Sequence, residues 1–171
     1  MTLSESLRTR LVTRGWASFS VGNNGISRLP DIMLRVASAL GTIIVGRGKC
    51  RIEILFPRDQ AHARINSLSS RFGFGLLPLH CDTAHWIIPC RHVVLACVAK
   101  GNVETPTLLL DTHDLSFSAE EMLMVGSATF FVKNGRRSFY ANLIDRERAF
   151  VRVDPGCMEP VTDSGLDALN L

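Results

Sequence analysis

The sequence predicts a β-rich α+β domain on three observations. Short apolar, β-branched segments recur along the chain, an Asn134-Gly135 pair separates two apolar-rich runs, and helical spacing is confined to the N-terminal region and one brief later segment. Residues 1–14 read as a helix, and Ser20 to Gly25 as a turn carried by Asn24-Gly25. Asp31 to Leu40 holds apolar residues at helical spacing, with Gly41 as its stop. Thr42 to Val45 reads as a strand, as does the stretch in which Ile52, Ile54 and Phe56 alternate with Arg51, Glu53 and Leu55. The turn Gly46-Arg47-Gly48 separates the two, and Pro57 ends the second.

After a loop through Asn66-Ser67, His92 to Val98 and Thr107 to Leu110 read as further strands. Ser118 to Met124, with Glu120 and Glu121 in its first turn, reads as a short capped helix. The Asn134-Gly135 pair predicts a two-residue type I′ hairpin, which places Phe130 opposite Phe139 and Val132 opposite Arg137. Phe150 to Val153 reads as the last strand before the Asp154-Pro155-Gly156 turn, and the tail from Glu159 is polar and weakly patterned. No repeat or linker interrupts the chain. One domain over 1–171 is therefore expected, with N-terminal helices and first strands in 1–70 and the main β core in 71–171.

Composition excludes several classes. The 171 residues are 46% hydrophobic and 20% charged, which describes a folded chain rather than a disordered one. The net charge of +3 comes from arginines spread among carboxylates, unlike the clustered footprint of a nucleic-acid binder. No apolar run reaches the length of a membrane helix, so neither nucleic acid nor membrane is an expected partner. An Arg/Ser-rich start also suits a transit peptide, but Glu5 and scattered polar residues favour a helix. The five cysteines include no C-x-x-C pair and form no disulfide framework, which fits a reducing, cytoplasmic setting.

Most chemical motifs fail. Gly41 to Gly46 has Walker spacing, yet Arg47-Gly48 follows where Lys-Ser/Thr is required. Arg51 occupies the third glycine position of a dinucleotide fingerprint, and G-x-S-x-G is absent. Arg71 to Gly75 carries Phe72 where an RNA-binding strand needs glycine.

The informative segment is Leu77-Pro78-Leu79-His80-Cys81-Asp82-Thr83-Ala84-His85-Trp86. Residues i and i+2 of an extended chain face the same side, so His80 and Asp82 can reach one metal ion while Cys81 points away into packing. An imidazole and a carboxylate are two parts of the three-residue facial set that binds ferrous iron. A surface histidine beside a capping aspartate is the plainer reading of the same pair. Among the other histidines, His85 beside Trp86 reads as structural or substrate-facing, and His92 as a hydrogen-bonding residue at a strand start. His113 sits in a turn between Asp111 and Asp114, and His62 reads as a surface residue. Arg91 is either a steering cation for an anionic substrate or a solvated side chain.

Four phrases in order, Phe74 to Trp86, Pro89-Cys90-Arg91-His92-Val93-Val94-Leu95, Thr105-Pro106-Thr107-Leu108-Leu109-Leu110-Asp111 and Arg152-Val153-Asp154-Pro155-Gly156-Cys157-Met158-Glu159-Pro160, carry a family resemblance. From about Arg64 to Pro160 the chain resembles the TauD-like iron(II)- and 2-oxoglutarate-dependent dioxygenases, relatives of taurine dioxygenase and clavaminate synthase. The resemblance implies a double-stranded β-helix, or jelly-roll, incomplete at its C-terminal end and flanked by helices. It implies Fe(II) held by His80 and Asp82, and 2-oxoglutarate positioned by Thr107, with Thr105 as the alternative one strand period away. The implied reaction hydroxylates a small organic substrate with O2 and converts 2-oxoglutarate to succinate and CO2.

The family's distal histidine and following arginine have no match, since no histidine occurs after His113. The expectation is a truncated enzyme, or one whose site is completed elsewhere, for example by a second copy in a homo-oligomer. Arg136 and Arg137 flank the hairpin turn and are expected to face solvent, whereas Arg152 lies on a strand and can point inward. Two other readings stay open: a non-catalytic β-rich remnant or interaction domain, and a cupin-like metal enzyme that does not use 2-oxoglutarate.

Overall fold

The computed structural model describes residues 3–46, 49–65, 67–99, 105–145, 147 and 150–169. The expected Gly46-Arg47-Gly48 turn and the Asn66-Ser67 loop fall partly outside them, at Arg47, Gly48 and Asn66. The chain forms an α+β structure in two compact units. One joins residues 1–55 to 91–107, and the other joins 56–90 to 108–171.

In the first unit, helix α1 spans Leu3–Arg14 and helix α2 spans Leu29–Leu40, preceded by a 3-10 turn at Asn23–Arg28. Pro30 sits in the first turn of α2, where its missing N–H removes no helical bond. Leu7 and Leu29 are buried, and the Arg8 guanidinium donates to the Ala39 carbonyl near the end of α2. Gly41 ends α2 with an extended backbone rather than a left-handed one.

The expected strands at 42–45, 52–56, 92–98 and 107–110 are not formed among the described residues, where the backbone is irregular. Their β propensity is local, whereas a strand exists only when a second segment completes its ladder. Ile44, Ile54, Phe56, Leu95 and Leu108 are correspondingly exposed. The described helices therefore hold more residues than the described strands, and the strands form no closed barrel.

The second unit carries the sheets. Helices α3 (Leu68–Phe72) and α4 (Ala119–Ser127) precede strand β1 (Thr129–Val132), strand β2 (Phe139–Asn142), strand β3 (Ile144–Asp145), strand β4 (Phe150–Val151) and strand β5 (Met158–Pro160). Helix α5 (Asp163–Asp167) follows. The main sheet is antiparallel with order β2-β1-β5, and β3 pairs with β4 in a second, two-stranded sheet. Ser118 starts α4 with a capping box. Its hydroxyl accepts from the Glu121 N–H, and the Glu121 carboxylate accepts from the Ser118 N–H, which lowers the Glu121 pKa. The polar tail, read as unpatterned, instead supplies β5 and α5, the latter capped by the Thr162 hydroxyl.

The hairpin forms with a register two residues from expectation: Phe130 faces Ala141 and Val132 faces Phe139. A type I′ turn requires positive φ at both central residues, and only Gly135 has it, at 56°. The Asn134 carbonyl accepts the Arg137 N–H at 3.0 Å, and the Ser138 hydroxyl accepts the Asn134 N–H at 2.9 Å. These bonds hold a wider loop open. A shift of two preserves side-chain parity, so Phe130 and Val132 still enter the core, where both are 0% exposed. They pack with Ala84, Val125, Leu143 and Met158. Ala84 belongs to the candidate motif, which ties that loop to the centre of this unit.

Candidate functional site

The motif is extended through Cys81 and then turns over Asp82–His85. Cys81 donates its N–H to the Val153 carbonyl at 2.6 Å and its thiol to the Val151 carbonyl at 3.3 Å. It thus packs against the core beside the β4 segment, and the alternation leaves His80 and Asp82 on the other side. Their facing atoms, His80 Nε2 and Asp82 Oδ1, lie 3.9 Å apart.

The other imidazole nitrogen, Nδ1, is 2.9 Å from the Pro78 carbonyl. A carbonyl can only accept, so this bond places the neutral ring's proton on Nδ1 and leaves the Nε2 lone pair directed away. That is the tautomer a metal-ligating histidine adopts. Two metal–ligand bonds of about 2.1 Å span at most ~4.2 Å, so the two atoms can contact one ion as they stand. Adjacent ligands on an octahedral ion sit nearer ~3 Å, a closure within reach of a rotation of the half-exposed Asp82 side chain. The donor pair therefore fits a divalent ion. Among the described residues no group of three or more His, Cys, Asp and Glu side chains gathers for one.

Thr107 belongs to the other unit and is exposed on an irregular segment, as is Thr105. Asp111 caps the 3-10 turn that holds His113, its carboxylate accepting the His113 N–H at 3.0 Å and lying 2.9 Å from Nδ1, and the His113 side chain is 92% exposed. His62 is a surface residue bound to Asp59, and His85 packs edge-on against Trp86 at 5.9 Å. His92 is exposed and starts no strand; Arg91, Arg136 and Arg137 are exposed too.

Sequence reasoning missed how the motif is held. Arg152 follows β4 with 2% exposure. Its guanidinium donates to the carbonyls of Ala84, Trp86 and Ile87, the last at 2.9 Å. The rings of Phe139 and Phe150 lie 5.0 and 5.2 Å from it. No local signal marks it: alternation with the apolar Val151 and Val153 would by itself turn Arg152 outward, and the carbonyls that draw it in are distant in sequence. Between the two anchors sits Thr83 at φ 58°, a left-handed conformation that disfavours a β-branched residue by about 1–2 kcal/mol. The Cys90 N–H donates to the Thr83 hydroxyl at 2.8 Å, and the Trp86 N–H to its carbonyl at 2.8 Å. A cavity of about 440 Å³, lined by Ile87, Phe139, Tyr140, Asn142, Asp145 and Arg152 among others, adjoins this loop.

Two thiols behind the motif are electrostatically suppressed. Burial pushes the Cys157 thiol up to about 12, with the Asp154 carboxylate adding to the effect, and burial also raises Cys81. The folded protein keeps protons that the unfolded chain releases near pH 9.0. These groups therefore contribute stability below that pH, and the contribution is lost as pH rises toward about 12. Urea midpoints are expected to fall as pH is raised above 9, and Cys157→Ala should flatten that slope. A midpoint independent of pH over this range would contradict the burial argument.

No known protein family, no curated protein and no solved structure matches the chain. Among the described residues no helix is long and apolar enough to cross a membrane.

Proposed function

We propose that the chain is a jelly-roll-type oxygenase domain that binds iron(II) through His80 and Asp82 and uses 2-oxoglutarate and O2 to hydroxylate a small organic substrate in the cytoplasm. The observation that carries this reading is the 3.9 Å approach of His80 Nε2 to Asp82 Oδ1, with Nδ1 occupied by the Pro78 carbonyl. Iron(II) held there would activate O2, which is the oxidant: 2-oxoglutarate would give up two electrons as it becomes succinate and CO2, and the substrate C–H the other two as it becomes C–OH. The protein's own part is to present one neutral imidazole and one carboxylate together and to anchor them to a buried core. Thr107 is assigned to the 2-oxoglutarate carboxylate on the strength of the sequence resemblance. The cavity beside the loop is lined by neither His80 nor Asp82, so it is not part of the proposed metal site.

Anaerobic calorimetric titration with iron(II) tests the reading. The wild-type chain is expected to bind, and His80→Ala and Asp82→Ala are each expected to lose at least ten- to a hundredfold in affinity, given that outer-shell changes alone cost that much. Binding of 2-oxoglutarate should require iron(II) and weaken in Thr107→Val. Metal binding that ignores 2-oxoglutarate would point to a cupin-like enzyme, and equal binding by wild type and both ligand variants would overturn the assignment. A second reading, a non-catalytic interaction domain or one that works as a homo-oligomer, draws on a separate observation. Leu76, Leu77, Leu79, Ile87 and Ile88 flank the motif and are all exposed, which is the kind of apolar surface that partners cover. That domain would bind neither iron(II) nor 2-oxoglutarate.

A further inference from the structure

We infer that Arg152 is a positioning residue for the His80/Asp82 pair, acting through the strained backbone of Thr83; this rests on the metal-binding reading above. The segment around β4 grips the motif on both sides of Asp82. Upstream, Cys81 bonds through its backbone and its thiol to the Val153 and Val151 carbonyls. Downstream, the Arg152 guanidinium holds the carbonyls of Ala84, Trp86 and Ile87. Only Asp82 and Thr83 lie between these anchors, and Thr83 has the left-handed φ of 58°.

A threonine released from such restraint returns to negative φ, because its branched Cβ clashes in the left-handed region. That rotation swings the adjacent Asp82 and ends its approach to His80. The planar guanidinium suits this task, since several fixed donors can hold several carbonyls together, whereas a lysine offers one compact ammonium. The buried arginine thus sets the distance between two half-exposed side chains that it does not touch.

The test compares wild type, Arg152→Lys, Arg152→Lys/Thr83→Asn and the core control Val132→Ala. Two readouts are taken well below each variant's unfolding temperature: cobalt(II) affinity, and hydrogen exchange of the Trp86 and Cys90 amides. Arg152→Lys is expected to bind cobalt(II) about ten- to a hundredfold more weakly. The two amides should exchange faster in it, while those of Phe131 and Ala141 in the sheet keep their protection. Asparagine tolerates left-handed φ and keeps a side-chain oxygen for the Cys90 N–H, so Thr83→Asn should restore most of the lost affinity. Val132→Ala should unfold at lower temperature yet bind cobalt(II) like wild type, an outcome that a merely structural role for Arg152 does not give.

Wild-type affinity in Arg152→Lys would overturn the positioning role and leave the metal-binding reading intact. Failure of Thr83→Asn to restore binding would overturn the part assigned to backbone strain. A wild-type chain that does not bind cobalt(II) would overturn the metal reading, and the exchange data would then judge the clamp alone: unchanged Trp86 and Cys90 amides in Arg152→Lys would overturn it too.

Discussion

Phe130→Ala is expected to destabilise the protein by about 3–5 kcal/mol, the range for truncating a buried aromatic side chain. Phe130 is 0% exposed on the central strand β1, between Ala141 of β2 and Pro160 of β5. Its ring sits in the cluster that includes Val125, Val132, Leu143 and Met158, so its removal leaves a cavity walled on several sides. Domains have about 5–15 kcal/mol in hand, and the variant would be left near its folding threshold. Phe56→Ala supplies the contrast: that ring is 69% exposed, and its loss should change stability by no more than about 0.5 kcal/mol. Urea denaturation of the three proteins checks both values, and a shift below about 1 kcal/mol for Phe130→Ala would show that β1 is not the centre of the core.

The second large effect is catalytic. Supplied with iron(II), ascorbate and 2-oxoglutarate, the 171-residue chain is expected to form no succinate above a protein-free control. His80 and Asp82 would provide two donors, no group of three or more His, Cys, Asp and Glu side chains gathers among the described residues, and no histidine follows His113 in the sequence. Weak iron binding can survive on two ligands, but losing a third should cost more than the ten- to a hundredfold typical of outer-shell changes. A buried carboxylate of 2-oxoglutarate also needs a cation, and its desolvation without one is worth several kcal/mol. Arg152, the buried arginine nearest the motif, already spends its guanidinium on backbone carbonyls, while Arg136 and Arg137 are exposed at the hairpin turn. Stoichiometric succinate that disappears in Asp82→Ala would contradict this expectation and imply a replacement ligand, with His113 and His85 the first to substitute.

Local signals in the sequence translated well where the structure they specify is local. Helical spacing located α2, and Ser118 with Glu120 and Glu121 in the first turn located the start of α4, because a cap and its partners lie within one turn. Parity accounts for Cys81 turning away from His80, but Asp82 already begins a turn, so its 3.9 Å approach to His80 belongs to the loop rather than to extended chain. The hairpin was legible, yet its register depended on the Ser138 hydroxyl, which lies outside the Asn-Gly signal. Strand propensity at Ile52–Phe56 and Thr107–Leu110 misled because pairing is decided by distant partners. From the sequence Arg152 is free to point inward or outward, and the carbonyl partners that decide it lie 65–68 residues away along the chain, beyond any local pattern.

That separation bears on how the protein is made. A chain synthesised from its N-terminus releases the Ala84–Ile87 carbonyls 65 or more residues before the guanidinium that binds them. At ordinary translation speeds this leaves an interval on the order of seconds. Central strand β1 waits as well, since both β2 and β5 lie downstream of it. During that interval His80 and Asp82 are already present, flanked by Leu77 and Leu79, and the Trp86 and Cys90 amides can already bond to Thr83, but the guanidinium that holds the carbonyls beyond it is not yet made. On the positioning role proposed above, a ribosome-bound nascent chain that stops short of Arg152 carries His80 and Asp82 without the clamp that joins them, and metal capture at that proposed site would be one of the last events of biogenesis.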